Sequence, residues 1–263
     1  VGAYRDLCVE LGVDHLFLFN EASGDALDVI AAAEAAVRGA NVVSQTRDIG
    51  GGSGLCSFGG SPDGAHYFTN AGAAIEPVSG VTPFSIVGGL RCNDATVAYP
   101  SLFQSRGPTS NHGVILGTAN DGLPGAPTYL LANIGDGTTV YSANTYGLGL
   151  LPALGGNLGH VLGMSYDGSA IRAYVDGVLI PAGPVAVSTT PVAGSVWGSS
   201  VDSTGANTTG LAIFKGAALS ATDHRTLANA FWGELATAEE HRRSPLESPS
   251  LIGPGAERNP GMA

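Results

Sequence analysis

Leu162, Met164 and Tyr166 alternate with small or polar residues, the period of two that marks a half-buried strand. Asp167-Gly168 ends the run, because glycine takes positive φ without steric cost and aspartate tolerates a tight turn. The pattern then resumes, with Ile171, Ala173 and Val175 on one face and Arg172 and Tyr174 on the other. Asp176-Gly177 turns the chain again into Val178-Leu179-Ile180. Alternating runs joined by two Asp-Gly turns predict an antiparallel meander over 158–180.

The same logic extends in both directions. His15–Phe19 is a dense apolar strand closed by the polar run Asn20–Asp25. Further strands are predicted at 65–69, 84–91, 101–105, 113–118, 128–134, 137–142, 192–198 and 211–215, with Phe84, Ile86 and Leu90 sharing a face. Gly, Asn, Asp and Pro turns between short strands are the pattern of a sandwich. Residues 1–13, with Leu7, Val9 and Leu11, read as an N-terminal arm or first edge strand. Residues 26–38 (ALDVIAAAEAAVR) are Ala-rich and predict a helix with Gly39 as its C-cap. Ser220, with an acid at Asp223, predicts the start of a short helix carrying Leu227 and Phe231.

Two loops and a tail complete the organisation. Residues 50–64 are Gly-rich, and 143–157 form a Gly/Leu/Pro loop long enough to suggest a functional or interface role. From Gly233 the composition turns polar, with helix-compatible residues at 234–243. Residues 244–263 carry Pro245, Pro249, Pro254 and Pro260 among Ser and Gly. Such a segment builds no core of its own. The expected layout is therefore an arm or edge strand (1–13), a sandwich (14–232) and an extended tail (233–263) that contacts other subunits of an assembly.

The stretch GHVLGMSYDGSAIRAYVDGVLI resembles the central signature of laminin-G-like, concanavalin-A-like jelly rolls. DHLFLFNEASGDALD (14–28) is similar to the opening strand of that family, and GLAIFKGAALSATDHRTLANAF (210–231) to its closing strand and following helix. The resemblance spans roughly residues 10–232 and implies an all-β, two-sheet antiparallel jelly roll with a short C-terminal helix. It also implies a packing or backbone-bonding role for His160, and it makes Gly88-Gly89 a departure where the family holds a core tryptophan. The fold hosts lectins, adhesion modules, lyases, glucanases and virion parts, so it implies little about activity.

Composition narrows the partners. At 263 residues the chain suffices for one large sandwich. The 40 glycines, 15 prolines and 13% charged residues suit many strands joined by turns. The formal charge is −11, with Lys215 the single lysine, which argues against nucleic acid or an anionic membrane face. Cys8, Cys56 and Cys92 are read as small buried hydrophobes, with a single disulfide the alternative in an oxidising setting. There is no charged-then-apolar leader pattern and no apolar run near the length of a membrane span, so these residues show neither a membrane span nor an export signal, and a mature processed form stays open.

Catalytic patterns are sparse. Glycoside hydrolysis needs two acids flanking the scissile bond, yet Glu21, Glu34 and Glu76 are isolated, and Asp167 and Asp176 sit in turns. No nucleophile elbow, Walker loop or zinc spacing occurs, and the six histidines are dispersed. Calcium would be taken by the loops Asn93-Asp94, Asn120-Asp121 or Asp202–Asn207, whose oxygens suit a hard cation, although they carry no dense carboxylate ladder. Asn207-Thr208-Thr209 fits a glycosylation sequon. A glycan would need aromatic rings beside amides or acids, and Asn111, His112, Asn120, Asp121, Tyr141, Asn144 and Tyr146 would supply them if their loops share an end. The expected function is a non-enzymatic structural or display module of a homo-oligomeric assembly. In view of the resemblance, a phage virion component (head decoration, fibre or tail protein) comes first. A carbohydrate-binding module at a cell surface or outside the cell is the alternative, and a polysaccharide hydrolase or lyase comes third.

Overall fold

A computed structural model describes residues 3–19, 26–31, 35–38, 56–57, 68–69, 75–92, 101–105, 111–119, 129–144, 159–181, 183–194 and 206–243. The chain begins with helix α1 (Ala3–Glu10), followed by strands β1 (His15–Phe17), β2 (Ala26–Leu27), β3 (Ala35–Arg38), β4 (Cys56–Ser57) and β5 (Phe68–Thr69). Next come β6 (Phe84–Cys92), β7 (Ser101–Gln104), β8 (His112–Ala119), β9 (Tyr129–Asp136) and β10 (Val140–Asn144). The meander follows as β11 (His160–Tyr166), β12 (Ala170–Val175) and β13 (Val178–Leu179), then β14 (Val185–Ala186), β15 (Ala206–Lys215) and helix α2 (Ala221–Arg243).

The strands form an antiparallel sandwich. One sheet runs β1-β15-β6-β11-β12-β13, with β14 beside β12 and β4 beside β15; the other runs β10-β9-β8-β7. A small third set is β2-β3-β5. The meander has the expected registers, Tyr166 opposite Ile171 across one Asp-Gly turn and Val175 opposite Val178 across the other. Asp176 (φ +49°) and Gly177 (φ +75°) both lie in the left-handed region, the conformation a two-residue hairpin of matching twist requires.

Alternation sorts each strand between two cores. Leu162, Met164, Tyr166, Ile171, Ala173 and Val175 face the second sheet, together with Phe84, Ile86 and Leu90. The opposite face is not solvated: Leu16, Val87, Val161, Ala212 and Phe214 pack with Tyr4, Cys8, Leu227 and Phe231 of the helices. Strands β11 and β12 are therefore largely buried on both faces, while Val178 and Leu179 of β13 stay exposed. At Gly88, where the resemblance implied a tryptophan, a Cβ would lie 3.1 Å from Leu211 Cα and 3.2 Å from Leu102 Cδ1, so the backbones approach too closely for a large side chain.

Four expectations need correction. The helix expected over 26–38 is instead β2, a turn and β3. Asp28 decides this: its Oδ1 accepts the N–H groups of Leu16, Ile30 and Ala31, and its Oδ2 meets His15 Nδ1. Those tertiary bonds outweigh alanine's propensity, a weak preference. The arm or edge strand expected within 1–13 is helix α1, because Tyr4 and Cys8, one helical turn apart, dock on the second core while Val9 stays 52% exposed. The strand expected at 137–142 begins only at Val140, since Asp136–Thr139 make a turn. No strand forms at 192–194, and the rest of the strand expected at 192–198 lies outside the described residues. Helix α2 continues through Gly233 to Arg243. Among the described residues, no helix is long and apolar enough to cross a membrane.

Candidate functional site

One end of the sandwich gathers the polar side chains. In the larger sheet, β6 begins at Phe84 beside the last residues of β11 (Tyr166) and β15 (Lys215). In the smaller sheet, β8 begins where β9 ends, with His112 opposite Asp136. Residues 187–194 run across both as a strap. Val187 N donates to Ser169 O at 2.8 Å, Gly113 N to Val192 O at 2.8 Å, and Val192 N to Gly135 O at 3.0 Å.

Asp136 is the centre of this rim. Its Oδ1 accepts Thr138 N at 2.7 Å and also Thr139 N, closing the β9–β10 turn. Its Oδ2 accepts the Thr189 hydroxyl of the strap and, at 3.4 Å, the Tyr141 hydroxyl. These bonds, from Thr139 N and the Thr189 hydroxyl first, stabilise the ionised form and lower its pKa to about 2. Tyr141 OH also meets Ser188 Oγ at 3.0 Å and Thr189 Oγ1 at 2.8 Å, so turn and strap are one unit. Asn111 Nδ2 donates to Thr138 O at 2.6 Å, and a Cβ on Gly137 would come within 2.7 Å of His112 Nε2, which places the exposed imidazole over that glycine. The strap ends against Ser105 and Glu76. A Cβ on Gly194 would sit 2.0 Å from Ser105 O. Burial raises the Glu76 pKa against the hydrogen bonds from Ser105, Val78 N and Gly194 N.

The structure thus joins three of the sequence candidates, Asn111, His112 and Tyr141. Asn144 is not with them: it ends β10 opposite Leu131, at the other end of the sheet, and its Nδ2 donates to Ser142 Oγ at 3.0 Å. Asn120, Asp121 and Tyr146 lie outside the described residues. Sequence reasoning missed Asp136, Ser188 and Thr189. Asp136-Gly137 offered a signal, being one of five Asp-Gly pairs in the chain; Ser188-Thr189-Thr190 had none beyond a run of hydroxyls. Of the calcium candidates, Asn93-Asp94, Asn120-Asp121 and 202–205 lie outside the described residues, while Asn207 is held in β15 between Arg91 and Ser57. Among the described residues, no three His, Cys, Asp or Glu side chains converge as a metal site.

A Ser–His pair elsewhere has a structural role. His224 Nε2 and Ser165 Oγ are 2.7 Å apart, Ser165 Oγ lies 2.8 Å from Ser85 Oγ, and Leu219 N donates to Ser85 Oγ at 2.8 Å. His224 is 1% exposed and stacked on Tyr174 with ring centroids 3.8 Å apart, so a substrate has no approach. Desolvation lowers its pKa to about 3. The neutral ring shares a hydrogen bond with Ser165 Oγ through Nε2 and ties α2 to the sheet.

No family model and no curated protein sequence matches the chain. Solved structures do. The Trypanosoma rangeli sialidase bound to sialic acid aligns at TM-score 0.59 and 11% identity, over 86% of this chain and 34% of that one. The botulinum neurotoxin serotype G binding domain aligns at TM-score 0.62 and 13% identity, over 85% of this chain and 51% of that one. The serotype D binding domain gives 0.59 and 13%, over 82% and 51%. What they share is the fold. The chain spans about a third to a half of these proteins, and at such identities the likeness establishes the β-sandwich fold alone.

Proposed function

We propose that this chain is a non-enzymatic recognition module whose Asp136–Tyr141 rim binds carbohydrate. The observation that carries the reading is the convergence of Asn111, His112, Asp136 and Tyr141 with the strap hydroxyls Ser188 and Thr189 on one end of the sandwich. A sugar is recognised by fixed hydroxyl, amide and carboxylate partners beside a ring face. Here the partners are fixed by one another, which lowers the ordering cost on binding. Structures that share the fold over part of their length include a sialidase in complex with sialic acid and a domain named for receptor binding. A glycan array probed with the wild type, His112→Ala and Asn111→Ala tests the reading. Selective binding weakened by both substitutions supports it; a flat response of the wild type across all sugars rejects it.

The setting in which such a module would be displayed is a second reading. The Pro-rich composition of 244–263 and the acidic, nearly lysine-less chain support a subunit of a homo-oligomeric assembly such as a phage virion, with the tail as contact arm. Native mass of the full chain against a form ending at Arg243, where α2 stops, is the test. Monomers in both forms would remove this reading and leave the rim unaffected.

A further inference from the structure

Resting on the carbohydrate reading, we infer that the rim selects uncharged glycans and rejects sialylated, sulfated or uronic ones. The reason is the Asp136 carboxylate. All four of its described partners, Thr138 N, Thr139 N, Thr189 Oγ1 and Tyr141 OH, are neutral donors, so its negative charge is solvated by the rim without being cancelled. The other charged side chains described at this end do not supply a spare cation. Arg172 is paired with Asp167, and burial of Asp167 fails to offset that guanidinium and the turn hydroxyl and N–H groups, which keep it ionised. Lys215 lies at the β15 side, where its backbone N–H is held by Asp14 and its ammonium acts on Glu76.

The charge cannot be relieved by protonation near neutral pH, since the turn N–H groups and Thr189 hold Asp136 far below the usual carboxylate range. A second anion within a few ångströms of it meets direct repulsion that salt screens only partly. A neutral sugar meets no such term: its hydroxyl donates to Asp136 in place of the long 3.4 Å Tyr141 contact, while Asn111 and His112 face its ring oxygens.

The test measures binding of paired glycans that differ only in a terminal sialic acid or a sulfate, at low and high salt, with the wild type and Asp136→Asn. Wild-type binding of the neutral member at least about tenfold tighter than the charged one, with the gap narrowing at high salt, is the expected result. Asp136→Asn, isosteric and uncharged, narrows the gap further if it folds; the salt series on the wild type decides the question if it does not. Equal or tighter binding of the charged member by the wild type overturns the inference while leaving a glycan-binding rim in place. Binding of neither member in any pair overturns both the inference and the carbohydrate reading.

Discussion

The Asp176 carboxylate and the His160 imidazole meet at 2.8 Å, and the His15–Asp28 pair repeats the arrangement at 2.7 Å. In both, Asp Oδ2 faces His Nδ1 while Oδ1 accepts the N–H of the residue after the histidine, Val161 in one case and Leu16 in the other. Each histidine opens a strand, so each aspartate takes a backbone N–H at the start of a strand. Asp176 goes further, taking Trp232 Nε1 at 3.2 Å and so anchoring α2 to the β12–β13 turn. His160 therefore bonds a carboxylate, where the resemblance implied packing or a backbone bond.

These clamps predict acid sensitivity. Burial acts to raise the pKa of Asp28, but the bonds from His15, Ile30 N, Leu16 N and Ala31 N outweigh it and the net shift is downward; Asp176 behaves alike through His160 and Val161 N. A carboxylate whose pKa is depressed on folding contributes stability that is present above its unfolded pKa, about 3.9, and lost as pH falls through the folded value. Asp28→Asn should flatten the loss of stability below about pH 4 in urea melts. Asp28→Ala, which leaves three N–H groups without their acceptor, should cost roughly 2–4 kcal/mol at pH 7.

His224 acts in a different window. Its folded pKa, about 3, lies below the unfolded value of about 6.5, so the fold favours the neutral ring. Stability from this group is complete above pH 6.5 and falls toward pH 3, by about 1.4 kcal/mol per pH unit. His224→Gln should remove that slope between pH 6.5 and 4. A wild type whose unfolding free energy stays level over that range would rule out a buried neutral histidine.

Two glycines should respond in opposite directions to alanine. Gly163 lies under His224, and a Cβ there would be 2.5 Å from Nδ1, so Gly163→Ala should push α2 away and cost about 1–3 kcal/mol. Gly233 sits inside α2 with no atom within 4 Å of an added Cβ, so Gly233→Ala should stabilise by about 0.5–1 kcal/mol through helix propensity. Thermal melts of the two variants, moving in opposite senses from the wild type, check both.

At the rim, Tyr141→Phe removes the hydroxyl shared by Ser188 and Thr189. The expected cost is modest, about 0.5–1.5 kcal/mol, with faster amide hydrogen exchange confined to 187–194. His112→Ala, an exposed side chain, should leave the melting temperature within experimental scatter while weakening glycan binding. Unchanged exchange in the strap of Tyr141→Phe would show that the hydroxyl does not hold it.

The sequence by itself determined what local chemistry controls. Period-two alternation assigned Ile171, Ala173 and Val175 to one face and Arg172 and Tyr174 to the other, and Asp176-Gly177 set a turn that only residues tolerant of positive φ adopt. Those are properties of neighbours in the chain, and the structure keeps them. Only the tertiary structure decided the rest. The Ala-rich run at 26–38 gave up its helix because Asp28 found partners on β1, and the Leu7-Val9-Leu11 alternation yielded to α1 because Tyr4 and Cys8 could reach a core on the far face of the sheet. The rim followed the same rule. Asn111 and His112 join Tyr141 because β8 and β9 pair with His112 opposite Asp136, while Asn144, three residues beyond Tyr141, is carried to the opposite end of the sheet. Strap residues 187–194 complete the site from about fifty residues downstream, held there by hydrogen bonds between segments whose separation in sequence leaves no periodic trace.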